Sequence, residues 1–185
     1  MYFSQRHLPH LHVVEQPLFI TFRLYGSLPD GRTFPKNSIN SGKAFVHMDR
    51  LLEAHSSGPM YLQMPAVAQC LVRAIEQGGT NSCRLHAWVV MPNHVHLLIT
   101  PRMDVSKFLH TLKGSSARLA NHVLGRTGTF WQDESYDHLV RDWAEFERIG
   151  NYIVQNPVRA GLARSAEEYR WSSASKIGGL KPAAG

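Results

Sequence analysis

With 185 residues, 43% hydrophobic and 18% charged, the chain has the size of one domain and a composition that excludes intrinsic disorder. Twenty Lys and Arg against fourteen Asp and Glu, with eleven His besides, leave a net charge of +6. That balance suits a polyanionic partner such as nucleic acid and equally an ordinary basic soluble protein. No apolar run approaches the roughly 18 residues that span a bilayer, and the opening MYFSQRHLPH lacks the apolar stretch of a secretion signal. Cys70 and Cys83 show no paired spacing. A cytoplasmic protein with free thiols and no membrane partner is expected.

The first predicted element is a strand over Val13 to Leu24, where LFITFRL alternates apolar and polar positions with aromatic and β-branched residues. The segment GSLPDGRTFPKNSINSG, Gly26 to Gly42, reads as a long surface loop. Helical periodicity follows at Ala44 to Glu53 and, more strongly, at Pro65 to Gln77, where Pro65 suits the first turn and Gly78-Gly79 a stop. RLHAWVVM and HVHLLIT then form two strands joined only by Pro92-Asn93, a tight corner at the centre of a sheet.

Asp104 is placed to cap a helix over VSKFLHTLKGSSARLANHVL. Its apolar stripe is Val105, Phe108, Leu109, Leu112, Ser116, Leu119 and Val123, with Lys107, Lys113 and Arg118 turned away from it. Gly114, costing about 1 kcal/mol relative to Ala, marks a close approach or a kink. A short strand, Tyr136 to Val140, precedes a helix from Asp142 to Gln155. Strands interleaved with helices and one hairpin point to an α+β sandwich with a mainly antiparallel sheet. Residues 1–174 are expected to form one domain and 175–185 a flexible tail.

Residues two apart in a strand share a face, so His94 and His96 present two imidazoles side by side while Val95, Leu97 and Ile99 point the other way. Two imidazoles and one further ligand make a divalent-metal platform with room for a phosphate oxygen. His-x-His is a short motif that also arises by chance, and His10-Leu11-His12 is a second copy. Spacing alone leaves two structural histidines as an open alternative.

On the last helix, Trp143, Phe146, Gly150, Ile153 and Val154 fall on one side. Glu145, Arg148, Tyr152, Gln155 and Asn156 fall on the opposite one. Tyr152 therefore lies on the polar face, as a surface tyrosine or as a nucleophile. A phenol with a pKa near 10 attacks a phosphodiester only where a metal or cationic side chains stabilise the developing charge. Asn156, four residues on, projects beside Tyr152 and offers a side-chain oxygen as third ligand, although Pro157 disfavours helical geometry at Asn156.

The segments LPHLHVVEQPLFITFRLYGSLP, HAWVVMPNHVHLLIT, FLHTLKGSSARLAN, GTFWQDESYDHLVRD, YIVQNPVRAGL and YRWSSA, from Leu8 to Ala174, together carry a further signal. The sequence resembles the REP-associated tyrosine transposases, relatives of the single-tyrosine transposases of small insertion sequences. The resemblance implies a ferredoxin-like HUH nuclease fold, with His94 and His96 as metal pair, Tyr152 as nucleophile and Asn156 as polar third ligand. It implies Mg2+ or Mn2+ as cofactor and hairpin-bearing single-stranded DNA, such as REP-type repeats, as partner. Cleavage would leave a 5′-phosphotyrosine and a free 3′-OH, and the REP-associated branch points to a monomer rather than a homodimer. Lys107, Lys113, Arg118 and Arg159 are candidate phosphate contacts, and Trp131, Tyr136, Asp137 and His138 candidate shapers of the site. Tyr136 is the rival nucleophile. Two other readings stay open: a domesticated, non-catalytic hairpin-binding protein, and a phosphodiesterase that uses water in place of Tyr152.

Overall fold

A computed structural model describes residues 15–28, 49–52 and 58–175. The His10-Leu11-His12 motif, most of the Gly26 to Gly42 loop, the start of the Ala44 helix and the tail beyond residue 175 lie outside the described residues. Among the described residues, seven main elements follow one another: strand β1 (Leu18–Leu24), helix α1 (Pro65–Asn81), strands β2 (Cys83–Val90) and β3 (His94–Pro101), helix α2 (Val105–Val123), strand β4 (Trp131–Leu139) and helix α3 (Trp143–Arg159).

The strands form one four-stranded sheet in the order β2-β3-β1-β4, with every neighbouring pair antiparallel. This βαββαβ path through an antiparallel sheet is the ferredoxin-like arrangement, here extended by α3. The α+β expectation holds. β1 and β3 occupy the centre, so their side chains are buried on both faces, β1 along its whole length. Leu18, Ile20, Phe22, Val95, Leu97 and Ile99 pack under α1 and α2. The alternate positions Phe19, Val89 and Leu98 pack with Ile153 of α3 on the other face.

Several boundaries depart from expectation. β1 starts at Leu18 rather than Val13. α1 runs through Gly78-Gly79 to Asn81. A Cβ built on Gly78 would stand 3.0 Å from the Phe108 ring, so this glycine serves close approach of α2, and packing outweighs its helix cost of about 1 kcal/mol. At Gly114 a Cβ would meet nothing within 4 Å, and α2 passes through it unbroken. Along α2 the buried positions are Val105, Phe108, Leu112, Ser116 and Ala120. Leu119 and Val123 are exposed, because the stripe closes on the smaller Ala120.

β4 begins five residues earlier than Tyr136, at Trp131. Its WQDES stretch carries no apolar alternation because, of these five residues, only Trp131 is buried. The opposite edge, β2, is partly covered by the chain after α3. Val89 bridges Ser172, Val90 N–H donates to the Trp171 carbonyl at 2.8 Å, and the Ser173 hydroxyl accepts from Trp88 N–H at 3.1 Å. This contact explains structurally why YRWSSA belongs with the rest of the domain: it blunts an unpaired edge.

α3 is capped by Asp142, whose side chain accepts from Glu145 N–H. It continues through Pro157 to Arg159, since a proline in the final turn removes one hydrogen bond where the helix is already ending. The division of its faces is also shifted. Trp143, expected on the packed side, is 66% exposed, whereas Glu145 and Asn156, expected on the polar side, are buried. Each buried polar group has partners: Glu145 binds Arg141 at 2.7 Å and His138 at 3.1 Å, and Asn156 contacts Asp49.

Candidate metal centre and tyrosine

β3 delivers His94 and His96 to the face covered by α3, opposite Val95, Leu97 and Ile99, as strand alternation requires. Their Nε2 atoms lie 3.1 Å apart. Each Nδ1 is engaged from behind: His94 by Asn93 Oδ1 and His96 by Thr21 Oγ1, both at 2.7 Å. Asn93 donates its Nδ2 to the Leu52 carbonyl at 3.1 Å, which fixes its Oδ1 as the end facing His94. That oxygen only accepts, so the His94 proton sits on Nδ1 and the Nε2 lone pair is free for a metal.

The third member is Asp49, from a helical turn at residues 49–52. Its Oδ1 lies 3.1 Å from His96 Nε2 and 3.5 Å from His94 Nε2. The three donor atoms stand within 4.8 Å of one another, and all three residues are buried. Among the described residues this is the cluster that could hold a metal ion. Asn93 does double work here, because the same amide that orients His94 tethers Leu52 and hence the turn bearing Asp49.

The electrostatics suit a cation. Burial would raise the Asp49 carboxyl, but the charges of His96 and His94 and hydrogen bonds from His96 and Asn156 hold it down at about 2. Burial, with the neighbouring His96, pushes His94 down to about 3 against the pull of Asp49. At neutral pH the carboxylate is therefore ionised and the His94 imidazole neutral, the forms that ligate metal. Asn156 Oδ1 is buried with no hydrogen-bond partner, and Asp49 Oδ1 faces the Nε2 atoms of both imidazoles. Two imidazoles, a carboxylate and an amide oxygen left unsatisfied form a donor set that fits a divalent cation.

Tyr152 stands against this centre. Its ring meets the His96 ring edge-on at 5.8 Å and Phe19 at 6.3 Å, while Phe19 stacks on His96 at 5.6 Å. The Arg159 guanidinium lies over the Tyr152 ring, 4.9 Å from its centre. Asn156, one turn on, reaches Asp49 Oδ2 with Nδ2 at 3.3 Å and His96 Nε2 at 3.5 Å. The two ends of an amide have nearly the same shape, so turning it over brings Oδ1 to the same place. Tyr152 and Asn156, placed together by the sequence on a helix face, thus both meet His96 in space.

The remaining candidates divide. Arg159 is at the site. Lys107, Lys113 and Arg118 lie on α2, whose buried side packs on the other face of the sheet. Lys113 donates to the carbonyls of Gln132 at 2.7 Å and Asp133 at 2.9 Å. Trp131 is a core residue, its indole N–H donating to Ser116 at 3.0 Å. Tyr136 packs edge-on against Phe19 at 6.2 Å, and His138 is paired with Glu145. Asp137 falls opposite Ile20 in the β1–β4 register. Sequence reading missed Asp49, Asn93 and Thr21. For Asp49 the single cue is an acidic residue inside the apolar helical run AFVHMDRLLE, and nothing in its spacing connects it to the histidines.

Fold and site together define a ferredoxin-like domain with a buried Asp-His-His cluster beside a helical tyrosine. Residues 67–156, which include His94, His96, Tyr152 and Asn156, match the family described as IS200-like transposases. The chain is similar to the REP-associated tyrosine transposase of Escherichia coli (strain K12), 25% identical over 89 residues, 48% of this chain and 53% of that protein. It thus spans about half the length of the curated relative it matches. The solved structure of a REP-associated tyrosine transposase bound to a REP hairpin has the same fold, with a TM-score of 0.62 at 19% identity, over 91% of this chain and 82% of that one. These matches agree with the resemblance to the REP-associated tyrosine transposases read from the motifs.

Proposed function

We propose that the chain is a metal-dependent, tyrosine-based DNA strand transferase acting on hairpin-bearing single-stranded DNA. The observation that carries this reading is the meeting of Tyr152, on α3, with the buried cluster of Asp49, His94 and His96. The family match and the hairpin bound to the structural relative support the choice of substrate. Asp49, His94 and His96 would hold a divalent ion, Mg2+ or Mn2+, and Asn156 Oδ1 would serve as a further ligand. Such an ion, when bound, neutralises charge on the phosphodiester oxygens.

The chain's own groups do the rest. Tyr152 Oη attacks phosphorus and releases its proton, the bond to the 3′-oxygen breaks, and that oxygen takes up a proton as a free 3′-OH. The new tyrosyl ester on the 5′ side conserves the bond, so the reverse attack rejoins a strand without a nucleotide cofactor. Arg159, over the Tyr152 ring, favours the phenolate and the incoming phosphate. Asn93 and Thr21 hold the two imidazoles in the ligating orientation.

The test is incubation of a labelled hairpin oligonucleotide with Mn2+ or Mg2+, followed by denaturing electrophoresis. Wild type should form a covalent adduct that Tyr152→Phe loses and Tyr136→Phe keeps. Cleavage without an adduct, persisting in Tyr152→Phe, would instead establish a water-using phosphodiesterase. Binding with neither cleavage nor adduct would establish a hairpin-binding protein.

A further inference from the structure

At the far end of α3 from Asn156, a surface cavity of about 390 Å³ opens between the N-terminal turn of the helix and the ends of β2 and β3. Three arginines line it, Arg84, Arg102 and Arg141, together with His86, Trp143 and Phe146. The aromatic rings form a ladder. His86 meets Phe146 edge-on at 4.9 Å, and Phe146 stacks on Trp143 at 5.0 Å with the planes 11° apart. One face of the indole is thus occupied from within, yet Trp143 remains 66% exposed, which leaves its outer face to solvent.

The polar groups of the cavity have settled roles that keep its cationic character. His86 bonds Thr100 at 2.7 Å, and burial, with the nearby Arg84, lowers its pKa. The Asp142 carboxylate caps α3 through Glu145 N–H at 2.7 Å. Arg141 is paired with Glu145, while Arg84 and Arg102 are exposed; Glu15 and Asp142 are the acidic groups of the rim. The C-terminal segment covers β2 at Trp88 to Val90, beyond the Arg84–His86 stretch that borders the cavity.

We infer that this cavity is a stacking site for an unpaired nucleotide of single-stranded DNA, with a base laid on the outer face of Trp143 and its phosphates held by Arg84 and Arg102. A planar group on a backed indole flanked by guanidinium groups is the recognition chemistry of an unpaired polynucleotide, in which every base offers a π face. The site is separate from the tyrosine. Trp143 and Tyr152 are nine residues apart, about 14 Å along the axis and on opposite sides of the helix, so no single nucleotide touches both. The site would hold DNA flanking the reacting phosphodiester and would tolerate any base. This inference rests on the reading of the chain as a DNA-acting protein.

Binding of labelled oligothymidylate and of a blunt-ended hairpin, each followed by fluorescence anisotropy, tests it in the full chain. Trp143→Ala should weaken oligothymidylate binding about 5- to 150-fold, the range that loss of one stacked base implies, and leave the blunt hairpin unchanged. Arg84→Glu and Arg102→Glu should weaken oligothymidylate further at low salt and flatten its salt dependence. Trp143 is exposed, so the variant folds, and circular dichroism verifies it. Wild type that does not bind oligothymidylate, Trp143→Ala that binds it as wild type does, or an equal loss on the blunt hairpin would each overturn the inference. Adduct formation is scored on the same proteins: an absent adduct with Trp143-dependent binding intact defeats the strand-transfer reading alone.

Discussion

Replacing Asn93 by Ala should separate metal-site geometry from simple packing. The Asn93 amide is buried and makes two hydrogen bonds: Oδ1 to His94 Nδ1 at 2.7 Å and Nδ2 to the Leu52 carbonyl at 3.1 Å. Truncation leaves a buried N–H and a buried carbonyl unsatisfied at about 1–3 kcal/mol each, so a total loss of roughly 2–6 kcal/mol is expected. That is a large share of the ~5–15 kcal/mol that stabilises a typical domain. Urea unfolding in the presence of a chelator measures it. In protein that is still folded, titration calorimetry with Mn2+ should show affinity lowered by about 10- to 100-fold, as for partners that orient metal-binding histidines. Wild-type Mn2+ affinity in folded Asn93→Ala would refute the claim that Asn93 positions His94 and Asp49. Unchanged urea stability would refute the claim that both bonds matter.

Three further outcomes follow from the same structure. Asp49→Ala should abolish Mn2+ binding measurable by calorimetry and, with it, adduct formation; full activity in that variant would remove Asp49 from the ligand set. Lys113→Ala should cost about 1–3 kcal/mol in urea unfolding, because its ammonium donates to two β4 carbonyls and the partly buried one, of Gln132, is left behind. Its hairpin affinity should match wild type, whereas Arg159→Ala should weaken hairpin binding without comparable loss of stability. In metal-free protein, stability should fall as pH drops. His94 is depressed to about 3 from an ordinary 6.5, so above 6.5 its contribution is complete, and it is lost as the unfolded chain binds a proton between about pH 6.5 and 3. Asp49, held at about 2, adds its own loss only below its ordinary value of 3.8. A urea midpoint constant from pH 7 to 4 would contradict this assignment.

The elements most legible in the sequence were those whose pattern is local. Strand alternation placed His94 and His96 on one face, helix periodicity placed Tyr152 one turn from Asn156, and the cap Asp104 is where its residue type put it. The resemblance to the REP-associated transposases implied that these pieces form one site. The misreadings arose where a local rule met a tertiary demand. Gly78 looked like a helix stop because a glycine costs helix stability, but its missing Cβ is what admits Phe108. Glu145 and Asn156 looked solvent-facing because they are polar, yet both are buried with polar partners.

What the sequence by itself determined was the chemistry available: two imidazoles at strand spacing, a phenol and an amide at helical spacing, and a surplus of positive charge. What only the tertiary structure decided was which groups share one point in space. Asp49 joins His94 and His96 across a separation of some 45 residues because the Asn93 side chain ties its turn to the β2–β3 corner. Lys107, Lys113 and Arg118 are carried to the far face because α2 packs there. Periodicity reports the direction of a side chain relative to its own element, and the meeting of elements depends on long-range packing that no short spacing encodes.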